Sequence, residues 1–564
     1  MLGRASTSQG ATSILDERMQ PSSFEHARRA AGSIAALTLA AVAFAAHAQA
    51  PTTSCDALGI GAARLTADVP SVRILGVSRE TAGSVPYCLV KVLVPQAVNI
   101  WVGLPTDGRW NGRWQSVGGG VYAGAVAPPN QAVAAGYAGA TTDTGHAGKG
   151  PFAAGDGSFG MLEPGKPNTR LQVDFAYRSE HLMAVIGKQL VQAFYGQPPK
   201  YSYWNGCSTG GRQGLRMAQD YPDDYDGILA GAPAIHWDRF QAGHAWYSVV
   251  QLRDNGGPIG GGDPSVLAAK EKLATARAVA ACDVQDGVTD GVLEDPRACK
   301  YHAAEDRAIT KADCAASDGT CLTPTEASAI DKMWQGPVAC SGRDGGGACK
   351  VPDVAARDLD ARGDQRLWYG NTRGTDLTAL GGAMPFLTAI EQPRYWVYFD
   401  PSWEWTTLDY ASYPRFFADT VAKVGPLMAS DNPNLKPFRD SGGKLVLWHG
   451  WSDQLIVPTG TVDYYERVAR EAGGYERARE FARLFMAPGV AHCAGGDGPQ
   501  PQGAFQAVVA WVEAGKAPDT ILASKTVPGG MRTRPLCPYP AQPRWNGRGS
   551  TDDAANFVCV ERNR

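Results

Sequence analysis

Residues 201–214 read YSYWNGCSTGGRQG, and this stretch decides the fold. Residues 201–204 alternate in the manner of a strand, and residues 212–220 are able to form the helix that follows. Between them, residues 206–210 match G-x-S-x-G, in which the glycines allow a sharp turn that lifts a serine hydroxyl above a sheet. The stretch therefore predicts a nucleophile elbow with Ser208 at its apex. Because five-residue matches also arise by chance in a glycine-rich chain, the prediction needs support from elsewhere.

Two further groups follow in the chain order that an α/β-hydrolase requires, which is serine, acid, histidine. Asp453 follows a predicted strand at 444–448, and His492 follows one at 483–486. Taken singly, Asp453 has the alternative role of capping the next helix, and His492 that of a surface loop residue. Together with Ser208 they predict a triad, in which His492 accepts the serine proton and Asp453 holds the imidazole tautomer.

An acyl-transfer site also needs two donors for the oxyanion. The amide of Thr209, directly after the nucleophile, is the first by geometry. A loop of three glycines, Gly118 to Gly120, follows a predicted strand at 113–117, and Gly119 is the predicted second donor. The alternative for this loop is a plain turn.

At 564 residues the chain exceeds the usual size of one hydrophobic core, so an inserted or second domain is expected. Residues 51–234 and 432–564 alternate apolar runs with turns, and they predict the two parts of an α/β-hydrolase core sheet. Residues 235–431 read as loops rich in Gly, Asp, Trp and Cys, and they form the predicted inserted domain. Further elements predicted in the core are a strand at 88–94 and helices at 181–194, 459–471 and 504–515.

Residues 1–50 read as a targeting segment. Two arginines, Arg28 and Arg29, precede an apolar run at 30–46, which ends in small-residue sites that place the mature start near Gln49. A buried or anchoring helix is the alternative, although the run is short for a bilayer span of about 20 residues. A secreted or periplasmic protein is therefore expected, with Met19 as an alternative start.

The net charge is −3, and only 19% of the residues are charged. Such a chain offers no basic field for nucleic acid, and no segment after residue 50 is apolar enough to span a membrane. The expected partner is a small or neutral molecule, and the sequence gives no signal for an oligomeric state.

Twelve cysteines, an even number in an exported chain, favour disulfides over metal sites. Cys207 and Cys493 each adjoin a candidate catalytic residue, so an assembled triad would bring them within bridging distance. A cysteine hydrolase is the competing interpretation, but the apex of the elbow is a serine. Spacing alone does not prove connectivity, and the close spacings suggest Cys282 with Cys299, Cys314 with Cys321, Cys340 with Cys349, and Cys537 with Cys559.

Residues 283–292 read DVQDGVTDGV, which places three carboxylates within eight residues around glycine turns. Hard cations prefer such oxygen ligands, and calcium is the natural candidate. The spacing does not match an EF-hand, and an Asp-rich solvated turn is the alternative. The predicted ligands are the side chains of Asp283, Asp286 and Asp290 and the carbonyls of Val288 and Val292.

With these motifs in place, the chain resembles the tannase and feruloyl esterase family from about Cys55 to Cys559. The resemblance rests on residues 206–214, 449–453 and 489–493, together with the 283–292 loop, Gly231-Ala232-Pro233 and residues 532–540. It implies an α/β-hydrolase core, an inserted lid that carries a structural calcium, the Cys207–Cys493 bridge and a Cys55–Cys88 pair.

The resemblance also implies hydrolysis of small esters of aromatic acids, with feruloyl-type esters first, galloyl esters second and terephthalate monoesters third. The terephthalate branch uses a lid arginine to bind a free carboxylate. Here residues 385–393 contain no arginine and only Phe386, although a shifted loop would offer Arg373 or Arg394, and Ile456 stands where that branch can carry an aromatic residue. The alternative from another class is a catalytically silent, calcium-stabilised binding protein.

Overall fold

The strand that leads into the elbow, β8 Tyr201–Cys207, lies near the middle of a nine-stranded sheet. The computed structural model describes residues 50–60, 72–95, 97–150, 153–339, 366–382 and 384–561. All but the last residue of the predicted targeting segment, and the predicted Cys340–Cys349 pair, lie outside these residues.

The nine strands lie in the order β1-β2-β3-β5-β4-β8-β9-β10-β11. Neighbours from β1 to β5 pair antiparallel, and all neighbours from β5 to β11 pair parallel. The carboxyl ends of β4, β8, β10 and β11 therefore meet at one edge, where open α/β sheets bind ligands. The bounds are β1 Arg73–Ala82, β2 Val85–Val94, β3 Val98–Pro105, β4 Arg113–Val117, β5 Ala138–Thr142, β8 Tyr201–Cys207, β9 Gly227–Gly231, β10 Lys444–Gly450 and β11 Ala482–Ala487.

Three small sheets complete the strands: a hairpin, a three-stranded sheet and a C-terminal pair. Their strands are β6 Met161–Glu163 with β7 Lys166–Pro167, then β12 Gln500–Pro501, β13 Ile521–Val527 and β14 Gly530–Leu536, and finally β15 Ala541–Trp545 with β16 Phe557–Glu561.

Helices cover the sheet and fill the inserted region. They are α1 Cys55–Ile60, α2 Asn130–Ala134, α3 Thr169–Val173, α4 Ser179–Tyr195, α5 Thr209–Asp220, α6 Trp237–Asn255, α7 Pro264–Cys282, α8 Pro324–Gln335, α9 Leu387–Gln392, α10 Tyr413–Met428, α11 Lys436–Asp440, α12 Pro458–Ala472, α13 Tyr475–Ala478 and α14 Ala504–Ala514. No helix among the described residues has both the length and the apolar character needed to cross a bilayer.

The core elements agree with the sequence patterns to within a few residues, and β4 coincides with its predicted bounds. The loops predicted for residues 235–431 are wrong, because α6 to α10 lie there. Helix α6 buries 14 of its 19 residues, polar ones among them. A helix that is buried on most sides shows no apolar stripe, so its sequence carries no helical period.

The inserted region has a hydrophobic core of its own, separate from that of the sheet. It is built mainly from α6, α7, α8 and α10, and it includes Trp246, Trp334 and Phe416. Val457, which follows the acid loop of the main sheet, also packs into it. The insertion therefore rests directly on the segment that carries Asp453.

Five disulfides join the described cysteines, and none of these cysteines is left free. They pair Cys55 with Cys88, Cys207 with Cys493, Cys282 with Cys299, Cys314 with Cys321, and Cys537 with Cys559.

Candidate active site

Ser208 occupies a strained turn between β8 and α5. Its backbone has φ 63° and ψ −125°, a region that costs a non-glycine residue about 1–3 kcal/mol. The turn is held from both sides, because the Ser208 amide donates to Gly231 O at 3.0 Å and its carbonyl accepts from the amides of Arg212 and Ala234 at 3.1 Å. This is the geometry of a nucleophile elbow.

The elbow requires glycine where backbones touch. A Cβ on Gly206 would lie 2.5 Å from the carbonyl carbon of Gly210, and one on Gly118 would lie 2.5 Å from the Gly210 Cα. Real Cβ atoms do not approach that closely, so larger residues would push the strands apart. The Gly118 loop after β4 is therefore packed directly on the elbow.

Asp453 and His492 meet at the ends of β10 and β11. His492 Nδ1 lies 2.8 Å from Asp453 Oδ2, and the carboxylate is fully buried. Asp453 Oδ1 accepts the amides of Leu455 and Ile456, each at 2.8 Å. Burial by itself raises the pKa of the Asp453 carboxyl, but the charge of His492 and the imidazole hydrogen bonds outweigh it and hold the pKa well below the usual range.

The Cys207–Cys493 disulfide ties the nucleophile to the base. Its Cα atoms are 6.0 Å apart, and Cys493 Sγ lies 3.7 Å from His492 Nε2. The second ring nitrogen of His492 thus points toward the bridge that adjoins Ser208. Among the described hydrogen bonds none joins Ser208 Oγ to His492, and such bonds are often long before substrate binds.

The backbone amides predicted as oxyanion donors differ in their hydrogen bonding. The amide of Thr209 stands at the first turn of α5, where it has no helical partner. The amide of Gly119 donates to Gln213 Oε1 at 2.9 Å, so it is already engaged and the prediction for Gly119 is corrected. Gly118 donates to Asn205 O at 3.0 Å, and within the described part of the chain the Gly120 amide has no acceptor.

The inserted region braces the acid loop through contacts that the sequence did not indicate. Asn371 Nδ2 donates to the carbonyl of Asp453 at 3.1 Å, and Tyr247 OH bonds the Asn371 side chain. From α6, His244 Nε2 lies 2.5 Å from Leu455 O. Asn371 falls in a stretch without periodicity, so no sequence signal pointed to it.

A second imidazole also reaches the acid. His449 Nε2 lies 3.0 Å from Asp453 Oδ2, the oxygen that His492 binds. His449 begins the 449–453 segment of the family resemblance. Its position four residues before Asp453 was the sequence feature that could have indicated this contact.

Aromatic side chains pack beside this edge of the sheet. Five of them form one cluster with ring centroids 5.3–6.2 Å apart, namely Tyr122, Phe159, Phe175, Trp237 and Trp396. Ile456 of the acid loop belongs to the same hydrophobic cluster. Aromatic surface therefore adjoins the loop that carries Asp453.

The two arginines considered for binding a free carboxylate are engaged elsewhere. Arg394 donates to Trp403 O at 2.9 Å and pairs with Glu404 at 2.9 Å. Arg373 Nε donates to Tyr301 O at 2.6 Å.

The 283–292 loop forms one side of a cavity of about 20 Å³, enough for one water-sized occupant. Asp286, Asp290 and Glu294 line it together with Val288 and Val292. Burial and the neighbouring carboxylates raise the pKa of Asp286 to about 6.

Two further observations concern the negative charge of this loop. Asp283 Oδ1 is buried and has no hydrogen-bond partner among the described residues. Asp290 pairs with Arg534, which offsets part of the negative charge.

One group in the described chain brings three potential ligand atoms within 4.8 Å of one another, namely Cys314, Asp318 and Cys321. The two cysteines are joined in a disulfide, so their thiolates are not available to a metal. No three carboxylates of the 283–292 loop, which the structure describes in full, approach that closely.

Comparison with known proteins agrees with this geometry. A probable feruloyl esterase of Arthroderma benhamiae is 34% identical over 477 residues, 82% of this chain and 82% of that protein. Mono(2-hydroxyethyl) terephthalate hydrolase of Piscinibacter sakaiensis is 31% identical over 523 residues, 83% of this chain and 82% of that protein. The crystal structure of feruloyl esterase B from Aspergillus oryzae has a TM-score of 0.75 at 26% identity, covering 90% of this chain and 100% of that chain.

The mixed sheet, parallel from β5 to β11, and its strand–elbow–helix define an α/β-hydrolase, which confirms the predicted fold class. The family model for tannase and feruloyl esterase matches residues 87–560. The chain belongs to the tannase and feruloyl esterase family, and it is a carboxylic ester hydrolase.

The bridge at the site gives a testable expectation. The double variant Cys207→Ala/Cys493→Ala should lose about a hundredfold in kcat/KM, because a misplacement near 1 Å costs that much. The 286-residue separation that it closes also contributes up to about 5 kcal/mol in the chain-entropy model, so rates are measured well below the melting temperature.

The matched control is Cys314→Ala/Cys321→Ala, which removes a bridge between residues seven apart in the inserted region. It should keep the parent rate. Equal rates in both double variants, with unchanged circular dichroism, would show that the Cys207–Cys493 bridge does not position the site.

Proposed function

We propose that this enzyme cleaves esters of aromatic carboxylic acids, with feruloyl-type esters first and galloyl esters second, through an acyl-enzyme on Ser208. The observation that carries the proposal is the Asp453–His492 pair, which the Cys207–Cys493 bridge holds next to a strained serine turn. The names of the relatives support the substrate class, since they include feruloyl esterases.

The proton path follows from the hydrogen bonds. Asp453 accepts the Nδ1–H of His492, so Nε2 is the ring nitrogen left to take the proton of Ser208. The serine oxygen then attacks the ester carbonyl, and His492 returns the proton to the leaving alcohol. Water, activated by the same imidazole, releases the aromatic acid and restores Ser208.

The developing oxyanion would be held at the first turn of α5. The Thr209 amide points out of that turn, and the positive end of the helix dipole favours negative charge there. Gly120, whose neighbours in the glycine loop are engaged, is the proposed second donor in place of Gly119.

Terephthalate monoesters rank third for a structural reason. A terephthalate monoester carries a free carboxylate, which a buried site must pair with a cation. Both candidate arginines make other contacts. Esters of neutral phenolic acids need no such partner.

The enzyme should therefore hydrolyse methyl ferulate and methyl gallate faster than mono(2-hydroxyethyl) terephthalate. Ser208→Ala should remove turnover, with kcat falling by roughly a millionfold as in other triads. Both proteins are assayed side by side by product chromatography, with Ser265→Ala at the exposed start of α7 as the control that keeps activity.

Retained turnover in Ser208→Ala would refute the triad. A clear preference for the terephthalate ester would reverse the substrate order. No turnover by the parent on any of the three would favour a catalytically silent binding protein.

We also propose that the 283–292 loop holds a structural calcium ion. Asp283, Asp286 and Asp290 would supply carboxylate oxygens, and Val288 and Val292 would supply carbonyls. The one-occupant cavity supports the fit, since Asp286, Asp290, Val288 and Val292 line it. Asp283 does not line that cavity, but its buried Oδ1 has no partner among the described residues. The ion would neutralise like charges and fix the lid loop, and no chemical step passes through it.

Chelation should lower the melting temperature of the parent, because a ligand that binds only the native state stabilises it. Asp286→Asn should have a lower melting temperature and lose the response to added calcium, whereas Asp519→Asn, at an exposed site, should respond as the parent does. Calcium absent from elemental analysis, with no thermal shift on chelation, would return the loop to a solvated turn.

We further infer that the chain is exported and cleaved near Gln49. The composition of residues 1–50 and the five disulfides support this, since disulfides persist in oxidising compartments. N-terminal sequencing of the exported protein should start near Gln49, and a start at Met1 or Met19 would contradict cleavage.

A further inference from the structure

We propose that His449 is a positioning residue for the triad, orienting the Asp453 carboxylate from its buried side and moderating its hold on the His492 proton. The inference rests on the proposed function of Ser208, Asp453 and His492. It assigns a role to the second imidazole of the site.

The position of His449 fits that role. It is the penultimate residue of β10 and is fully buried, so neither substrate nor solvent reaches it. Its Nε2 lies 3.0 Å from Asp453 Oδ2 and 3.0 Å from Ile456 O. Its Nδ1 lies 2.8 Å from Thr461 Oγ1 on α12.

These partners determine where the proton lies. A carboxylate oxygen and a carbonyl oxygen both accept, so Nε2 must carry hydrogen. Nδ1 can then accept from the hydroxyl of Thr461, which is able to donate. These partners favour the Nε2–H tautomer, whose one donor is shared between Asp453 Oδ2 and Ile456 O.

His449 and His492 bind the same oxygen of the Asp453 carboxylate. Asp453 Oδ2 receives hydrogen bonds from His449 and His492, while Oδ1 receives two amides. The carboxylate cannot rotate without breaking several bonds. Because His449 draws on the same charge that holds His492, it weakens the Asp453–His492 attraction, and its removal would strengthen that attraction.

Among the described residues, four titratable side chains belong to the acid loop or hydrogen-bond to it. They are Asp453, His492 and His449 on the sheet side, and His244 on α6, which bonds Leu455 O at 2.5 Å. Burial lowers the pKa of His244 to about 4, so it stays neutral across the range in which the enzyme would be assayed. A change in the acidic limb of the rate profile therefore reports on the Asp453–His492 pair.

The alternative is a purely structural histidine that ties β10 to α12. Both roles predict a less stable protein when His449 is removed. They differ in the pH–rate profile, since a purely structural tie would leave the attraction between Asp453 and His492 unchanged.

The test compares His449→Leu, which removes the donor, with His449→Gln, whose amide can donate from a similar position. We expect His449→Leu to lose about ten- to a hundredfold in kcat, the factor for one hydrogen bond to a charged group. KM should change little, and the acidic limb of kcat/KM should move to higher pH. His449→Gln should recover most of kcat and the parent profile.

Two further variants make the result decisive. Thr461→Val keeps the side-chain shape but removes the hydroxyl that favours the Nε2–H tautomer of His449. The acidic limb of its kcat/KM profile should therefore move to higher pH by less than in His449→Leu. This variant can be tested even if His449→Leu fails to fold. His181→Leu removes another histidine–aspartate contact, 2.8 Å from Asp224 and outside the site, and should leave kcat and the profile unchanged.

An unshifted acidic limb in both His449→Leu and Thr461→Val, or a Gln variant no better than Leu, would overturn the positioning role. When His449→Leu does not fold, an unshifted limb in Thr461→Val alone overturns it. Ser208→Ala is assayed in parallel on methyl ferulate, since its retained activity would refute the proposed function rather than the role of His449.

Discussion

The contact of backbone with backbone at Gly210 is the constraint on which the site depends. Gly206 from the end of β8 and Gly118 from the loop after β4 both approach it at distances that exclude a Cβ. This packing lets the elbow, the glycine loop and α5 occupy the same small volume. Ser208 can then hold an unfavourable backbone conformation, because the surrounding strands leave it no other.

Asp453 shows how the fold keeps a charge in its interior. An unpaired buried carboxylate is costly, and this one is fully buried. Two amides of its own loop and two imidazoles supply donors to both oxygens. Asn371 of the inserted region donates a hydrogen bond to the carbonyl of Asp453, so the acid loop is held from the inserted region as well as from the sheet.

The 283–292 loop presents the opposite situation. Two of its carboxylates, Asp286 and Asp290, line a small cavity. Asp290 is paired with Arg534 and Arg532, whereas Asp283 Oδ1 has no hydrogen-bond partner among the described residues. The two acidic centres thus differ in what completes them, which is protein for Asp453 and, in our proposal, a cation for the lid loop.

The sequence by itself determined the elements and order of the site. Local patterns sufficed for β8, the Ser208 turn, α5 and the strands before Asp453 and His492, because each depends on neighbours a few residues away. The tertiary structure alone decided that the Gly119 amide is engaged by Gln213, that Asn371 holds the acid loop, and that the inserted region is helical. The first two features depend on distances between segments far apart in the chain, and helices buried on most sides leave no period in their sequence.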